Sequence, residues 1–362
     1  MAKLSLPSFF LLLLMALALQ SGTCNAAAPR KAVGIYELKK GNFSVKVTNW
    51  GAIITSVILP DSKGNLADVV LGYDRLGPYI NNSVYFGAVV GRVANRIAGC
   101  RFVLNGTVHR LFRNDGNNTL HGGHRGFSRV IWTVKKMVGG EFPSITLFYR
   151  SFNGEQGFPG DLDVYVTYSI PGDYQLSVAM RGKSLTEATP VNLAQHTYWN
   201  LRGHDSGSIL SHKVRIFASR ITPVDADLIP TGALAPVQGT PYDFLRPETV
   251  GSRIDCVPGG YDINYAVDSR EGKSGLSRVA TVRAEETGRR MEVWADQPGV
   301  QFYTGNFLRG VRGKGGAVYE QHAGLCLETQ GFPDAVNRPD FPSQIVAAGE
   351  EYRHHMLYEF SF

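Results

Sequence analysis

Two segments of the chain carry polar side chains capable of chemistry within the apolar pattern of a β-strand. Residues 191–201 read VNLAQHTYWNL, and the even positions of this run place hydrogen-bonding groups, among them His196 and Tyr198, about 7 Å apart at twice the strand rise. Residues 325–330 read LCLETQ, with Glu328 opposite two leucines. A carboxylate inside an apolar strand is costly unless it is paired or used, because burial disfavours its charged form and raises its pKa. One such segment alone would more simply be a solvated strand face, whereas two together indicate a site.

Three further segments add side chains suited to recognising a sugar. Residues 297–306 form an aromatic-rich strand with an embedded amide, Gln301, and residues 91–97 (GRVANRI) contain two arginines and Asn95. His121 lies in the sequence NTLHGG, a glycine loop where the backbone can approach a ligand. Planar polar groups of these types bind sugar hydroxyls, and aromatic faces pack on the C–H side of a pyranose ring. The inventory therefore predicts a carbohydrate site.

Metal ions, nucleotides and nucleic acids match these patterns poorly. His121 and His124 flank a Gly-Gly pair typical of a loop, and the adjacent His354 and His355 would point to opposite faces of a strand. The sequence contains no phosphate-binding glycine motif after a strand. Its formal net charge of +6, 37 basic minus 31 acidic residues, is scattered rather than concentrated in a basic block. We therefore expect no metal, no cofactor and no nucleic-acid partner.

Strands joined by turns must position these groups, because helical patterns are nearly absent from the 362 residues. Residues 43–48 alternate with period two, and Asn105-Gly106 is typical of a tight hairpin between residues 101–104 and 107–110. Further strands are predicted at residues 53–59, 144–149, 163–170, 174–181, 214–217, 279–284 and 290–295, with a hairpin loop at 270–277. No amphipathic helices separate them, which excludes a βαβ or (β/α)8 fold. We predict an all-β fold, one large antiparallel β-sandwich domain over residues 30–362 with few or no helices.

The first thirty residues differ in composition from the rest of the chain. Lys3 precedes the apolar run 9–19, which is shorter than the roughly 20 residues needed to span a membrane and is followed by small residues. Residues 1–26 are therefore predicted to be a secretory signal peptide, with an uncleaved anchor as the alternative. We expect a mature protein that is soluble, exported from the cell, not bound to membranes, and a monomer or weak dimer.

Cysteine usage and glycosylation sequons are compatible with secretion. Signal cleavage would remove Cys24 and leave Cys100, Cys256 and Cys326, an odd number that cannot all pair within the chain. A disulfide framework is therefore not what holds the fold. Asn-x-Ser/Thr sequons, which are glycosylated in exposed positions of secreted proteins, occur at Asn42, Asn81, Asn105 and Asn117. The sequon at Asn117 is the least favoured because it adjoins the His121 loop.

Taken together, these segments resemble the aldose 1-epimerase family, also called galactose mutarotases. The matching segments are GRVANRI (91–97), NTLHGG (118–123), GFPGD (157–161), NLAQHTYWNL (192–201) and LETQ (327–330), with further matches within 223–232, 239–243 and 332–342. They occur in the expected order from about residue 33 to the C-terminus. The resemblance implies a large β-sandwich, often called a supersandwich, and an isomerase that interconverts the α and β anomers of free aldohexoses such as D-glucose and D-galactose. The predicted secretory signal departs from the family pattern, since many family members are cytoplasmic.

The resemblance also implies a role for individual residues. His196 matches the general acid of the family and Glu328 its general base. The positions that hold the sugar hydroxyls are Asn95, Arg96, His121, Tyr198, Asp262 and Gln301. The base removes the O1 proton while the acid protonates the ring oxygen O5, and rotation about C1–C2 before reclosure gives the other anomer without any cofactor. Without the family, Asp262 in the sequence GGYD would indicate only a structural turn.

Two alternatives use the same fold. A non-catalytic carbohydrate-binding protein would need the amide and aromatic groups but neither His196 nor Glu328. A hexose-6-phosphate 1-epimerase-like enzyme would need extra cations for the phosphate, whereas the pocket segments offer only Arg92 and Arg96. The ordered motifs and the acid/base pair favour the mutarotase.

Overall fold

The structure is a computed structural model that describes residues 32–81, 84–268 and 272–362. The predicted signal peptide, Cys24 and residues 270–271 of the predicted hairpin loop lie outside the described residues.

The described part of the chain consists mainly of short strands joined by turns. The first strands are β1 (Ile35–Lys40), β2 (Phe43–Thr48), β3 (Ile53–Pro60), β4 (Leu66–Asp68), β5 (Ala88–Val90), β6 (Arg96–Ile97), β7 (Arg101–Leu104), β8 (Thr107–Arg110), β9 (Thr119–Leu120), β10 (Thr133–Val138), β11 (Ser144–Ser151), β12 (Leu162–Ser169), β13 (Gln175–Ser184) and β14 (Thr189–Pro190). They are followed by β15 (Ala194–His196), β16 (Lys213–Ile216), β17 (Arg220–Ile221), β18 (Ala235–Pro236), β19 (Glu248–Thr249), β20 (Asp262–Ala266), β21 (Ser277–Arg283), β22 (Arg290–Ala295), β23 (Gly299–Tyr303), β24 (Val311–Arg312), β25 (Val318–Tyr319), β26 (Cys326–Gln330), β27 (Ile345–Val346) and β28 (Glu351–Ser361). The helical segments are α1 (Leu76–Asn81) and the 3-10 turns Ala98–Cys100, Phe127–Arg129, Glu155–Gly157, Val250–Ser252, Ile254–Cys256, Lys314–Gly316 and Ala335–Asn337.

Three antiparallel sheets share one apolar core. A nine-stranded sheet has the order β10-β11-β12-β13-β28-β22-β21-β16-β19, a five-stranded sheet the order β18-β17-β20-β23-β26, and a four-stranded sheet the order β1-β2-β3-β4. Alternate side chains of each sheet point inwards, so that Val164 and Val293 of the largest sheet join Phe302 and Leu327 of the five-stranded sheet and Val45 of the smallest in one buried cluster. The all-β sandwich prediction is confirmed.

Several predicted elements agree closely with the structure. The strands predicted at residues 43–48 and 290–295 have those bounds, and β7 pairs with β8 around Asn105-Gly106. Both turn residues have positive φ, 50° at Asn105 and 77° at Gly106, as a tight hairpin turn of this type requires. Local turn chemistry was therefore sufficient to define this hairpin.

Two predicted elements are wrong. Residues 191–201 do not form one continuous strand: only Ala194–His196 is a strand. All eleven side chains are buried, which agrees with a site rather than a solvated strand face. The segment lies between other elements, forming bridges to residues 70, 93 and 325, so its period-two pattern does not separate a core from solvent. The strands that flank the predicted hairpin loop at 270–277, β20 and β21, belong to different sheets and so do not form a hairpin.

The core, rather than disulfide bonds, holds this part of the chain together. Val33–Phe362 form one compact unit, and within it Cys100, Cys256 and Cys326 are all free thiols. Among the described residues we find no helix with the length and apolarity needed to cross a membrane.

Candidate active site

The register of the five-stranded sheet collects polar side chains on the face that is turned away from the core. Gln301 of β23 lies directly opposite Glu328 of β26, and Asp262 is the first residue of β20, two positions before the residue that pairs with Gln301. Because side chains alternate along a strand, these three share one face while Phe302 and Leu327 point into the core. Asp262 therefore belongs to a strand of the site rather than to a structural turn.

A second, short strand brings a histidine to the Glu328 carboxylate. His196 ends β15, which pairs with β5, and its Nε2 lies 3.7 Å from Glu328 Oε1. Both side chains are almost fully buried, with exposed fractions of 5% for His196 and 2% for Glu328. The fold thus joins the two residues that the family resemblance assigns as acid and base.

Burial moves the pKa values of this pair in opposite directions. It raises the pKa of Glu328 well above that of an ordinary glutamate, with the Asp262 charge adding to the rise and Arg96 opposing it. It lowers the pKa of His196 to about 4. In water a histidine binds its proton more tightly than a glutamate by about 2 pKa units. Burial therefore favours the neutral form of each group, and a proton that starts on His196 with Glu328 ionised passes to Glu328 more readily than in water.

The glycine loop presents His121 beside this pair in a defined tautomer. His121 Nδ1 accepts the backbone N–H of Asn95 at 3.1 Å, so in the neutral ring the hydrogen is on Nε2. Burial and the neighbouring His196 and Arg96 lower the pKa of His121 well below its usual value, which keeps the ring neutral. The loop can take this path because Gly122 has φ +82° and a Cβ there would lie 2.0 Å from the carbonyl oxygen of Gly91. His121 is therefore an Nε2–H donor.

An ion-pair chain fixes the cation of the site. Arg96 donates its Nε–H to Asp115 Oδ2 at 2.7 Å, and its Nη1 lies 4.0 Å from Asp262 Oδ2. The other oxygen of Asp262 accepts the Nε2–H of Gln301 at 2.6 Å. Burial raises the pKa of the Asp262 carboxyl, while Arg96 and Gln301 both act against that rise. The guanidinium is thus oriented by a carboxylate on each side.

These groups surround a small cavity of about 160 Å³. Its lining comprises Val84, Tyr85, Asn95, Arg96, Leu120, His121, His196, Tyr198, Asp262, Gln301, Tyr303, Phe307, Leu308 and Glu328. The volume is below the roughly 300–1,000 Å³ of sites for drug-sized ligands, which suits a molecule of the size of one sugar ring. Two buried oxygens in the lining, Gln301 Oε1 and Glu328 Oε2, have no hydrogen-bond partner in the protein. Buried acceptors without partners are costly, and ligand hydroxyl groups would satisfy them.

All eight predicted site residues line this one cavity. Tyr198 differs in detail from its predicted role, because its hydroxyl donates to the backbone carbonyl of Val84 at 2.9 Å and its ring lies beside His196, with centroids 5.1 Å apart. The two asparagines of its segment are structural: Asn192 bonds the backbone of Gly331, and Asn200 bonds the backbone of Gly207 and Ala323.

Three aromatic lining residues were not predicted. Tyr303 is two residues beyond Gln301 on β23, so strand alternation could have placed it in the site. Tyr85 packs edge-on against His121, with centroids 4.8 Å apart, but has a positive φ of 60° in a turn that no sequence pattern marks. Phe307 stacks on Tyr303 at the cavity rim with 68% of its surface exposed.

Comparison with known proteins adds independent evidence. The family model for aldose 1-epimerase matches residues 34–359. This chain belongs to the aldose 1-epimerase family. It is 45% identical over 329 residues to the galactose mutarotase of Homo sapiens and 44% identical over 328 residues to that of Mus musculus, in each case covering 90% of this chain and 93% of the relative. The aldose 1-epimerase of Escherichia coli strain K12 is 32% identical over 323 residues, 87% of this chain and 91% of the relative.

Solved structures with the same fold extend the family match. The aldose epimerase homologue from C. elegans superposes with a TM-score of 0.85 at 27% identity, covering 91% of this chain and 99% of the other. The galactose 1-epimerase from Lactobacillus acidophilus superposes with a TM-score of 0.80 at 22% identity, covering 92% and 96%, which shows the shared fold. The predicted family and its supersandwich fold are confirmed, and the relatives support the predicted isomerase class and mutarotase activity.

Of the two arginines that could bind a phosphate group, Arg92 does not line the cavity. Arg92 is 1% exposed and its guanidinium donates to the carbonyls of Pro159 and Gly160 and to the hydroxyls of Ser151 and Thr189. It is therefore a structural residue outside the cavity. Among the described lining residues Arg96 is the single arginine or lysine, and Asp115 and Asp262 already neutralise it. A phosphate group would meet two carboxylates for one guanidinium.

The fold also brings together potential metal ligands that lie far apart in this sequence. One ligand atom each from His121, His196 and Glu328 lie within 4.8 Å of one another. Two histidines and a glutamate can bind zinc, although Zn–ligand bonds of about 2.0–2.2 Å place tetrahedral donors only about 3.4 Å apart. His124, which the sequence placed near His121, is exposed and packs on Phe112 instead. A metal ion bound in the cavity would coordinate both His196, the predicted acid, and Glu328, the predicted base.

Proposed function

We propose that this protein is a mutarotase that interconverts the α and β anomers of free aldohexoses such as D-glucose and D-galactose. The observation that carries the proposal is the 3.7 Å approach of His196 Nε2 to Glu328 Oε1 inside a buried cavity of the size of a sugar ring. The relatives named galactose mutarotase support the same reaction over nine-tenths of the chain.

In the proposed mechanism Glu328 and His196 transfer one proton each. Glu328 removes the O1 hydroxyl proton, and His196 gives its Nε2 proton to O5 as the C1–O5 bond breaks and the C1 carbonyl forms. Rotation about C1–C2 turns the other carbonyl face towards O5, and the reverse transfers close the ring as the opposite anomer. The two protons return to their donors, so the cycle needs no oxidant, metal or second substrate. The reaction starts from protonated His196 and ionised Glu328, and from that state the opposed pKa shifts favour both proton transfers of ring opening.

The remaining polar residues would hold the sugar rather than react with it. His121 offers an Nε2–H donor, Arg96 offers a cation oriented by Asp115, and the acceptor Gln301 Oε1 has no other partner. A neutral hexose supplies hydroxyl groups that both donate and accept, which matches this mixture. A binding module would retain these contacts but would have no use for a carboxylate buried against a histidine.

Polarimetry on freshly dissolved α-D-glucose and α-D-galactose tests this function. The purified protein should accelerate the decay of optical rotation to its equilibrium value in proportion to its concentration, above the buffer blank. Sugar binding detected by calorimetry without any such acceleration would overturn the enzyme and establish the binding module. Acceleration confined to hexose 6-phosphates would instead support the phosphate-specific alternative.

We further propose that the protein is secreted, glycosylated and monomeric or weakly dimeric. The apolar run 9–19 supports export, and the exposed sequons at Asn42 and Asn105 lie at the tips of the β1–β2 and β7–β8 turns. Expression of the full chain in eukaryotic cells should give a processed protein in the medium, whose mass falls on N-glycan removal. Substitution of Gln for Asn42, Asn81, Asn105 and Asn117 together should abolish that fall. Retention of the unprocessed chain in the cell would overturn the proposal that the protein is secreted. Light scattering of the purified protein would test whether it is a monomer or a weak dimer.

A further inference from the structure

The side of the His196 ring that faces away from Glu328 contacts a buried thiol. Cys326 Sγ lies 3.7 Å from His196 Nδ1, and Cys326 is completely buried. Cys326 and Glu328 are two residues apart on β26, so their side chains point to the same side of the strand. One strand therefore presents the base to Nε2 and a sulfur atom to Nδ1.

The surroundings of Nδ1 favour a hydrogen on that nitrogen. A hydrogen bond to the His196 backbone raises the pKa of the ring, against the larger lowering by burial. The Cys326 thiol stays protonated, because burial and the charges of Glu328 and Asp262 raise its pKa well above the usual value. A neutral thiol sulfur is a weak acceptor, so it can orient an N–H without the strong attraction that a carboxylate would exert on a cationic ring.

This arrangement matters for the mechanism because only one neutral tautomer can cycle a proton at Nε2. After His196 has given a proton to the sugar, the ring must carry its hydrogen on Nδ1 and leave Nε2 bare for the return transfer. The tautomer with hydrogen on Nε2 could not accept that proton. The other groups that the described residues place around the ring are the aromatic rings of Tyr85, His121, Tyr198 and Tyr303, and Glu328 at Nε2.

We propose that Cys326 is a positioning residue of the active site: its sulfur accepts the Nδ1–H hydrogen bond of His196 and so keeps Nε2 directed at Glu328 and free to exchange a proton. This inference rests on the proposed mutarotase function. It assigns to the Cys326 thiol a role in addition to packing.

Three substitutions separate positioning from packing. Cys326→Val has a similar size but no acceptor, Cys326→Ala removes the acceptor with less risk of overpacking, and Cys326→Ser restores an acceptor. Net hydrogen-bond contributions of about 0.5–1.5 kcal/mol correspond to about 2- to 13-fold in rate. We expect Val and Ala to lower kcat about 3- to 10-fold with KM within twofold of wild type, and Ser to remain within about threefold of wild type. Cys256→Val, at an exposed thiol, is the matched control and should change neither constant.

Nitrogen NMR of His196 supplies a readout that does not depend on turnover. In the wild type, ¹⁵N shifts at neutral pH should show the hydrogen on Nδ1, and Cys326→Val and Cys326→Ala should lose this preference while Cys326→Ser keeps it. If Cys326 only packed, kcat would fall most in Cys326→Ser and least in Cys326→Val, and the His196 tautomer would be the same in all variants. That result would overturn the proposal. A wild type without mutarotation would refute the proposed function, whereas the NMR comparison would still decide whether the sulfur fixes the ring.

Discussion

Asp115 should control sugar affinity through Arg96 although it does not line the cavity. Its Oδ2 accepts the Arg96 Nε–H at 2.7 Å and so orients the guanidinium beside Asp262. Hydrogen bonds to charged groups contribute about 1.5–3 kcal/mol. The Asp115 side chain is 35% exposed, so water screens the pair and we take about 1 kcal/mol. Asp115→Asn keeps the shape but removes the charge, and a loss of this size corresponds to an approximately fivefold higher KM.

The assay is the initial rate of mutarotation by polarimetry across a range of sugar concentrations. We expect kcat of Asp115→Asn to stay within about twofold, because the acid and the base are untouched. Asp163→Asn is the matched control. It disrupts the Arg150–Asp163 ion pair, whose hydrogen bonds are 2.6 Å long and which lies away from the cavity, and it should leave kcat and KM unchanged. In an Arg96→Lys background, Asp115→Asn should add little, because lysine lacks the Nε–H that Asp115 binds. A fivefold rise in KM that persists in that background, or a loss confined to kcat, would refute the role of Arg96 in this effect.

Three further outcomes follow from the same geometry. Asp262→Ala should raise KM by about tenfold, because a buried hydrogen bond to Gln301 and a charge beside Arg96 are lost together. The value of kcat should stay within about threefold of wild type, and initial rates in which only kcat fell would contradict this prediction. Glu328→Gln should melt at a higher temperature than the wild type at neutral pH. The folded-state pKa of Glu328 is raised, so the contribution of this carboxyl to stability is fully present below its unfolded pKa of 4.5 and is lost as pH rises through the folded pKa. Glutamine does not titrate and has no such loss. The gain in Tm should shrink towards pH 4 in calorimetric scans, and a pH-independent difference would show that the carboxyl is not destabilised by burial. Dialysis against EDTA should leave turnover unchanged; a loss that Zn²⁺ restores would assign His121, His196 and Glu328 to a metal instead.

Local features of the fold could be predicted from the sequence, whereas pairing between distant segments could not. Turn chemistry at Asn105-Gly106 and the alternation of residues 43–48 depend on neighbouring residues, and both were predicted correctly. Residues 191–201 were assigned to a site, but their extent as a strand was overestimated. Both faces of this segment are covered by other elements, so alternation does not mark the bounds of the strand. Pairing across sheets is equally invisible to a local pattern, which is why the hairpin predicted at 270–277 was wrong.

The candidate site shows the same division. The resemblance to the family identified His196 and Glu328, but no spacing in the sequence indicates that they approach to 3.7 Å, because β15 and β26 come from distant parts of the chain. The sulfur contact at Nδ1 and the support of Arg96 by Asp115 are also products of the fold. Tyr303 could have been found from its position two residues after Gln301, whereas Tyr85 follows from no local rule.

The most direct test of the central claim is the polarimetric kcat of Glu328→Gln and His196→Asn, measured beside the wild type with α-D-glucose and α-D-galactose. Glutamine keeps the size and shape of Glu328 but cannot accept the O1 proton, and asparagine cannot supply a proton to O5. Loss of a general acid or base typically costs about 10²- to 10⁴-fold, and we predict a fall in that range for each variant with sugar affinity changed far less. The double variant should be little slower than either single one, since the two transfers belong to one coupled step. If Glu328→Gln kept more than about a tenth of the wild-type kcat, well outside the range for a lost base, Glu328 would not be the base, and Asp262 would be the next carboxylate to test.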